Sequence, residues 1–174
     1  MVVVHVEWLG EQTVRVQSQG TSIQVTFDAG LSIHQVAGAC RELGDIGWEA
    51  LGQWCTLMKG HTSMLANQDH QQSMMGLVTP DHILRWVSPQ IHELLGWPVD
   101  EVLNHDVREL EPSEEVEVAD ALAFHFDERA ENSAPLIART KSGDQAPFLA
   151  TMWPIYAPTH ELYCTLGEFR PIYA

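Results

Sequence analysis

The sequence predicts an α+β chain in two parts, and three observations carry that reading. The first 28 residues alternate apolar and polar side chains in three short runs, VVVHVEWL, TVRVQSQ and SIQVTFD. Gly10-Glu11 and Gly20-Thr21 separate these runs, the pattern of a small antiparallel meander. Helix-start signals then occur at Ser32 and at Ser88-Pro89, each ahead of apolar residues at helical spacing. Finally, three strand-like runs, 134–140, 146–156 and 161–170, close the chain. The first two are joined by Lys141-Ser142-Gly143-Asp144, where Gly143 is free to take a positive φ.

Taken in order, Ser32 and Gln35 form a capping-box pair. Ile33, Val36, Ala37, Cys40 and Leu43 make the apolar face behind them, and Gly44 suits the helix end. A second helix is predicted over 47–58, with Trp48, Leu51, Cys55 and Met58 on one face. Residues 59–73 are polar with little periodicity, and read as a linker or a capping helix. MMGLVT and ILRWV read as two strands joined by a turn at Thr79-Pro80-Asp81-His82. Ser88 and Pro89 start a helix that Gly96 ends, and Pro98 starts another through Leu103. A longer helix is predicted over 113–129. Pro154 falls near the end of its strand, where a missing ladder donor is tolerated. The expected division is 1–58, a linker over 59–73, and 74–172.

With 174 residues, 45% of them hydrophobic, the chain can bury a sizeable core and is not disordered. Nine basic and 24 acidic residues leave a net charge of −15. That field repels nucleic acid and anionic lipid, so neither is an expected partner. No apolar run approaches the ~20 residues that span a bilayer. MVVVHVEW lacks the basic start of a secretory leader. A soluble, cytoplasmic protein is expected. Cys40, Cys55 and Cys164 are odd in number and form no CxxC, so buried structural thiols are expected rather than a disulfide scaffold or zinc ribbon.

The nine histidines form no HExxH, and Cys40, Cys55, His61 and His70 match no usual zinc spacing, which leaves a His/Cys metal-site enzyme as a remote alternative. No GxSxG, GxGxxG or GxxxxGK[ST] occurs. Glu114-Glu115 at a helix start are accounted for by the helix dipole. No catalytic residue and no metal ligand is assigned.

The second half resembles a PAS domain over about 74–172. The residues that carry the resemblance run from Ile83 to Ser88-Pro89, then Leu94-Leu95-Gly96-Trp97 and Asp100-Glu101-Val102-Leu103. They continue at Leu110, Lys141-Ser142-Gly143, Pro154-Ile155, Gly167 and Arg170. Asn104 stands where glycine is usual, Ser88 where asparagine is common, and Pro171 where the family often ends in aspartate. No resemblance was found for residues 1–66. The resemblance implies a five-stranded antiparallel sheet with helices on one face, preceded here by a small α+β region. It implies a non-enzymatic sensor of signal transduction, as in two-component regulation. Such a sensor binds a small ligand or partner and relays through a homodimer to an output domain such as a histidine kinase or cyclase. A filled-core PAS domain used only for interaction or dimerisation is the alternative.

By the same resemblance, Ala138, Phe148, Ala150, Met152, Thr165 and Phe169 line the cavity, and Trp86 is assigned to it from the second strand. The expectation is no resident cofactor. Val107 holds the place of the photoactive cysteine of light-sensing flavin domains. Ala138 and Phe148 hold the places of two flavin-binding asparagines, which weakens a non-covalent flavin as well. EPSEEVE, 111–117, lacks the cysteine of photoactive yellow proteins. Haem is the other alternative, through His125 between Phe124 and Phe126.

Overall fold

The structure, a computed structural model, describes residues 4–10, 13–18, 21–26, 32–66, 73–111 and 132–172; for 4–26 and 57–66 the description is confined to the backbone. The chain divides into two compact units. One comprises Met1–Gln68 with Tyr156–Glu161, the other Asp69–Ile155 with Leu162–Ala174.

In the first unit, β1 (Val4–Gly10), β2 (Thr13–Ser18) and β3 (Thr21–Thr26) form an antiparallel sheet in that order. Val6, Val16 and Ile23 share one cross-strand row of the register. Helix α1 (Ile33–Arg41) begins with the expected capping box: Ser32 Oγ accepts from the Gln35 N–H at 3.3 Å, and Gln35 Oε1 accepts from the Ser32 N–H at 2.9 Å. Its inner face is Val36, Ala37 and Cys40, all buried. Helix α2 (Asp45–Ala66) extends beyond the predicted 47–58 and takes in residues 59–66, part of the stretch that reads from sequence as a linker or a capping helix. No proline occurs between Asp45 and Thr79 to stop it, and its one-sided apolar signal simply fades beyond Met58. The two helices approach closely at Gly47, where a Cβ would lie 1.9 Å from the Cys40 carbonyl oxygen. Within this unit the Tyr156 N–H donates to His34 Nδ1 at 3.1 Å.

The second unit is built on a five-stranded antiparallel sheet. Its strands are β4 (Met74–Val78), β5 (Leu84–Val87), β6 (Asn132–Arg139), β7 (Gln145–Tyr156) and β8 (Leu162–Pro171), in the order β5-β4-β8-β7-β6. The first and last strands of the unit therefore lie side by side at its centre. Between β5 and β6 come α3 (Gln90–Leu95), α4 (Val99–Val102) and a 3-10 turn, Val107–Leu110. The helix predicted over 113–129, with His125, lies outside the described residues.

One expected cap is replaced. Ser88 does not cap α3 with its side chain; Pro89 occupies the cap position, with no side-chain bond. Ser88 instead extends the sheet. Its N–H donates to the Met75 carbonyl at 2.8 Å, and its Oγ accepts from the Met75 N–H at 2.9 Å. A 4%-exposed hydroxyl is better used on a buried backbone donor than on a helix end that solvent reaches.

The edge of β5 is covered by the chain that follows α4: the Asn104 N–H donates to the Leu84 carbonyl at 2.7 Å, and the Leu84 N–H to His105 at 3.0 Å. Asn104 adopts φ 62°, so it keeps the left-handed conformation that glycine would take, as asparagine tolerates. The Lys141–Asp144 turn is held against the helices. The Lys141 N–H donates to the Leu95 carbonyl at 2.9 Å, Lys141 Nζ meets Glu101 at 2.9 Å, and Trp97 Nε1 donates to the Arg139 carbonyl at 3.0 Å. Gly143 takes φ 96° there. The buried core between helices and sheet gathers Met74, Leu84, Val87, Ile91, Leu95, Val102 and Phe148.

Candidate functional site

Directly opposed residues of an antiparallel pair share a face of the sheet, and the face alternates along each strand. Met74 opposes Phe169, Gly76 opposes Gly167, and Val78 opposes Thr165 across β4 and β8. Leu136 opposes Phe148, and Ala138 opposes Ala146, across β6 and β7. These rows form the helix-facing side of the sheet, and above them lies a cavity of about 110 Å³.

Its floor is the Gly76–Gly167 pair at the centre of the sheet. A Cβ on Gly167 would stand 2.9 Å from the Phe169 ring and 3.0 Å from Met152 Sδ, so the missing side chain is part of what keeps the space open. Met74, Val78, Leu136, Ala138, Met152 and Phe169 rise around this floor. Leu84 and Val87 of β5, Ile91 and Leu95 of α3, and Val107 and Leu110 of the 3-10 turn complete the apolar wall. Among the described residues bordering the cavity, Thr165 brings a hydroxyl and Glu111 a carboxylate. Glu111 directly follows the 3-10 turn, and its Oε2 is shielded from solvent.

The seven residues assigned from sequence divide. Ala138, Met152, Thr165 and Phe169 border the cavity. Phe148 and Ala150 belong to the same face but not to the cavity wall. The Phe148 ring fills the core alongside, edge-on to Phe169 with ring centres 6.5 Å apart, and Ala150 packs with Leu136 and Met152. Trp86 is on the other face, a correction: it opposes Leu77, which lies between the cavity-bordering Gly76 and Val78. The pairing of β4 and β5 shifts between Leu77 and Val78, so that Val78 opposes Leu84 and Arg85 is the extra residue of a bulge. Leu84 is thereby turned to the cavity, whereas Trp86, two residues on, opposes Leu77, and neither borders the cavity. Which face of ILRWV meets the cavity is set by its pairing with β4, not by the strand's own residues.

Sequence reading also missed both floor glycines as a pair. Gly167 belongs to the family pattern and Gly76 to the MMGLVT strand, but the register that opposes them is long-range. Glycine inside a strand was the available signal, since it marks close approach of a ligand or another backbone.

The three thiols are buried, and burial pushes Cys40 and Cys164 up to about 12, which makes them poor nucleophiles. Among the described residues, no three His, Cys, Asp or Glu side chains gather as a metal site. The cavity is smaller than the engineered cavity of about 150 Å³ that takes up benzene. Ala138 and Phe148 offer a flavin no side-chain amide.

This second unit has the PAS fold. No protein-family model matches the chain, and no curated protein matches its sequence. Solved structures do. The PAS domain of a protein from Colwellia psychrerythraea is 14% identical with a TM-score of 0.53, over 57% of this chain and 86% of that one. The PAS domain of an HTR-like protein from Haloarcula marismortui is 15% identical with a TM-score of 0.48, over 69% and 98%. A light-oxygen-voltage domain, solved with a flavin analogue, is 19% identical with a TM-score of 0.48, over 59% and 78%. Among the described residues no helix is long and apolar enough to cross a membrane.

Proposed function

We propose that the chain is a non-enzymatic sensory module of signal transduction whose PAS unit binds a small, mainly apolar molecule on the helix-facing side of the sheet. The observation that carries this is the cavity of about 110 Å³ over the Gly76–Gly167 floor. Interiors normally close-pack, and an opening of this size with almost wholly apolar walls is a poor host for water and a good one for a compact apolar ligand. Occupation presses on Met152 and Phe169, which already crowd Gly167, and on α3 and the 3-10 turn. The ligand shifts the population of arrangements of these elements. The relay runs through a homodimer to an output domain such as a histidine kinase or cyclase, a reading that rests on the resemblance to sensory PAS domains.

The test is a titration of ¹⁵N-labelled protein with benzene, followed by amide chemical shifts. Saturable shifts centred on Met152, Thr165, Gly167 and Phe169 are expected. A flat spectrum at benzene saturation refutes the ligand reading and favours a filled-core interaction module. Sedimentation of the full chain tests the homodimer.

A further inference from the structure

We infer that the ligand of this cavity is a compact neutral carbonyl compound, an apolar ketone, aldehyde or ester whose oxygen accepts a hydrogen bond from the Asn132 side chain. The inference rests on the ligand-binding reading above and narrows it to a chemical class. Asn132 opens β6 and opposes Met152 of the cavity wall, so the two side chains rise from the same, helix-facing side of the sheet. Met152 in turn crowds Gly167 of the floor, its Sδ 3.0 Å from where a Cβ would stand, and Gly167 opposes Gly76. One line across the sheet thus runs from Gly76 through Gly167 and Met152 to Asn132.

At the end of that line a hydrogen bond is unmade. Asn132 as a whole is half-buried, but its Nδ2 is shielded from solvent and has no hydrogen-bond partner among the described residues. Thr165 and Glu111, which border the cavity, already interact with other groups of the protein. Buried amide donors are nearly always satisfied. This one has already lost its water, so an acceptor brought by a ligand gains the bond without stripping the donor first.

Charge and valence select the acceptor. A carboxylate or phosphate is disfavoured, because the net charge of −15 lowers the local concentration of anions and one neutral amide does not offset the desolvation of a charge. An alcohol accepts from Nδ2 but brings an O–H that needs an acceptor of its own among apolar walls. A carbonyl oxygen accepts and brings no donor. The apolar remainder of the molecule lies on the bare backbone of Gly76 and Gly167. Met152 is unbranched and adaptable, and the neighbouring opposed pair on its face, Ala134 and Ala150, carries only methyl groups, so Met152 can turn aside and join that space to Asn132.

The experiment compares methyl isopropyl ketone with its hydrocarbon isostere, in which C=CH₂ replaces C=O. Each is titrated into the ¹³C,¹⁵N-labelled full chain, with benzene as the reference for the cavity itself. Asn132→Leu keeps the side-chain shape and removes the amide. The ratio of the two affinities is expected to favour the ketone by at least about fivefold more in the unaltered chain than in Asn132→Leu, while benzene shifts persist in both. The Asn132 Nδ2 proton pair, assigned through its own Cβ, is expected to move with the ketone and to stay in place with the isostere. A smaller change in the ratio, an Asn132 pair that ketone saturation leaves in place, or benzene binding with no binding of the ketone overturns the inference and leaves the ligand reading standing. Absence of benzene binding in the unaltered chain fails the underlying reading instead. Where Asn132→Leu does not give a folded spectrum, the response of the Asn132 pair in the unaltered chain decides.

Discussion

Replacing Phe148 with alanine measures how much of the PAS unit's stability sits beside the cavity. The ring is 2% exposed, in the cluster with Met74, Leu84, Val87, Ile91, Leu95 and Val102, and it meets Phe169 edge-on at 87°. Removing a fully buried phenylalanine costs about 3–5 kcal/mol, of which an edge-to-face pair supplies about 0.5–1.5 kcal/mol. The space left adjoins an existing cavity, so the lining has little means of collapsing and the upper part of the range is expected. Cys164 is the reporter. It is 0% exposed, and burial raises its thiol to about 12, so alkylation at pH 8 proceeds through opening of the unit. At about 1.4 kcal/mol per factor of ten, Phe148→Ala should speed iodoacetamide labelling of Cys164 by roughly two to nearly four orders of magnitude when reclosing outpaces labelling. The assay is mass spectrometry of the Cys164 peptide over time. Thr165 points to the cavity and its neighbour Cys164 to the other face, so a direct path opened by the lost ring does not reach the sulfur. Acceleration below tenfold would refute the assignment of the ring to the core.

Two further outcomes follow from individual contacts. Ser88→Ala strands the buried Met75 N–H, at a cost of about 1–3 kcal/mol, and should speed amide exchange at Met75 far more than at the Gly143 turn. Asp106 is held down to about 2 from 3.8, chiefly by its hydrogen bonds from Arg108. A folded-state value below the unfolded one adds stability above about pH 4 that is lost as pH falls towards 2. Asp106→Asn should therefore shrink the drop in urea midpoint between pH 5 and pH 2.5; an unchanged drop would show that the Arg108 contact is not maintained in solution.

The sequence by itself determined most of the local structure. Ser32 with Gln35 specified the start of α1, Gly96 and Gly143 specified positive-φ stops, and two-residue alternation specified the strands, because each signal acts within a few residues of chain. Resemblance, read from residues scattered over the second half, extended this to the PAS fold. It also pointed to Ala138, Met152, Thr165 and Phe169, whose face follows from counting along regular strands. Tertiary structure decided what counting cannot reach. The pairing with Leu77 turned Trp86 from the cavity and the bulge at Arg85 turned Leu84 to it, the ladder with Met75 drew Ser88 away from its helix, and the β4–β8 register set Gly76 against Gly167. Glu111 entered the cavity wall only because the 3-10 turn folds back over the sheet. The physical reason is common to all four. Each depends on which backbone groups pair across a long stretch of chain, and that pairing is settled by the packing of the whole unit, not by the residues beside it.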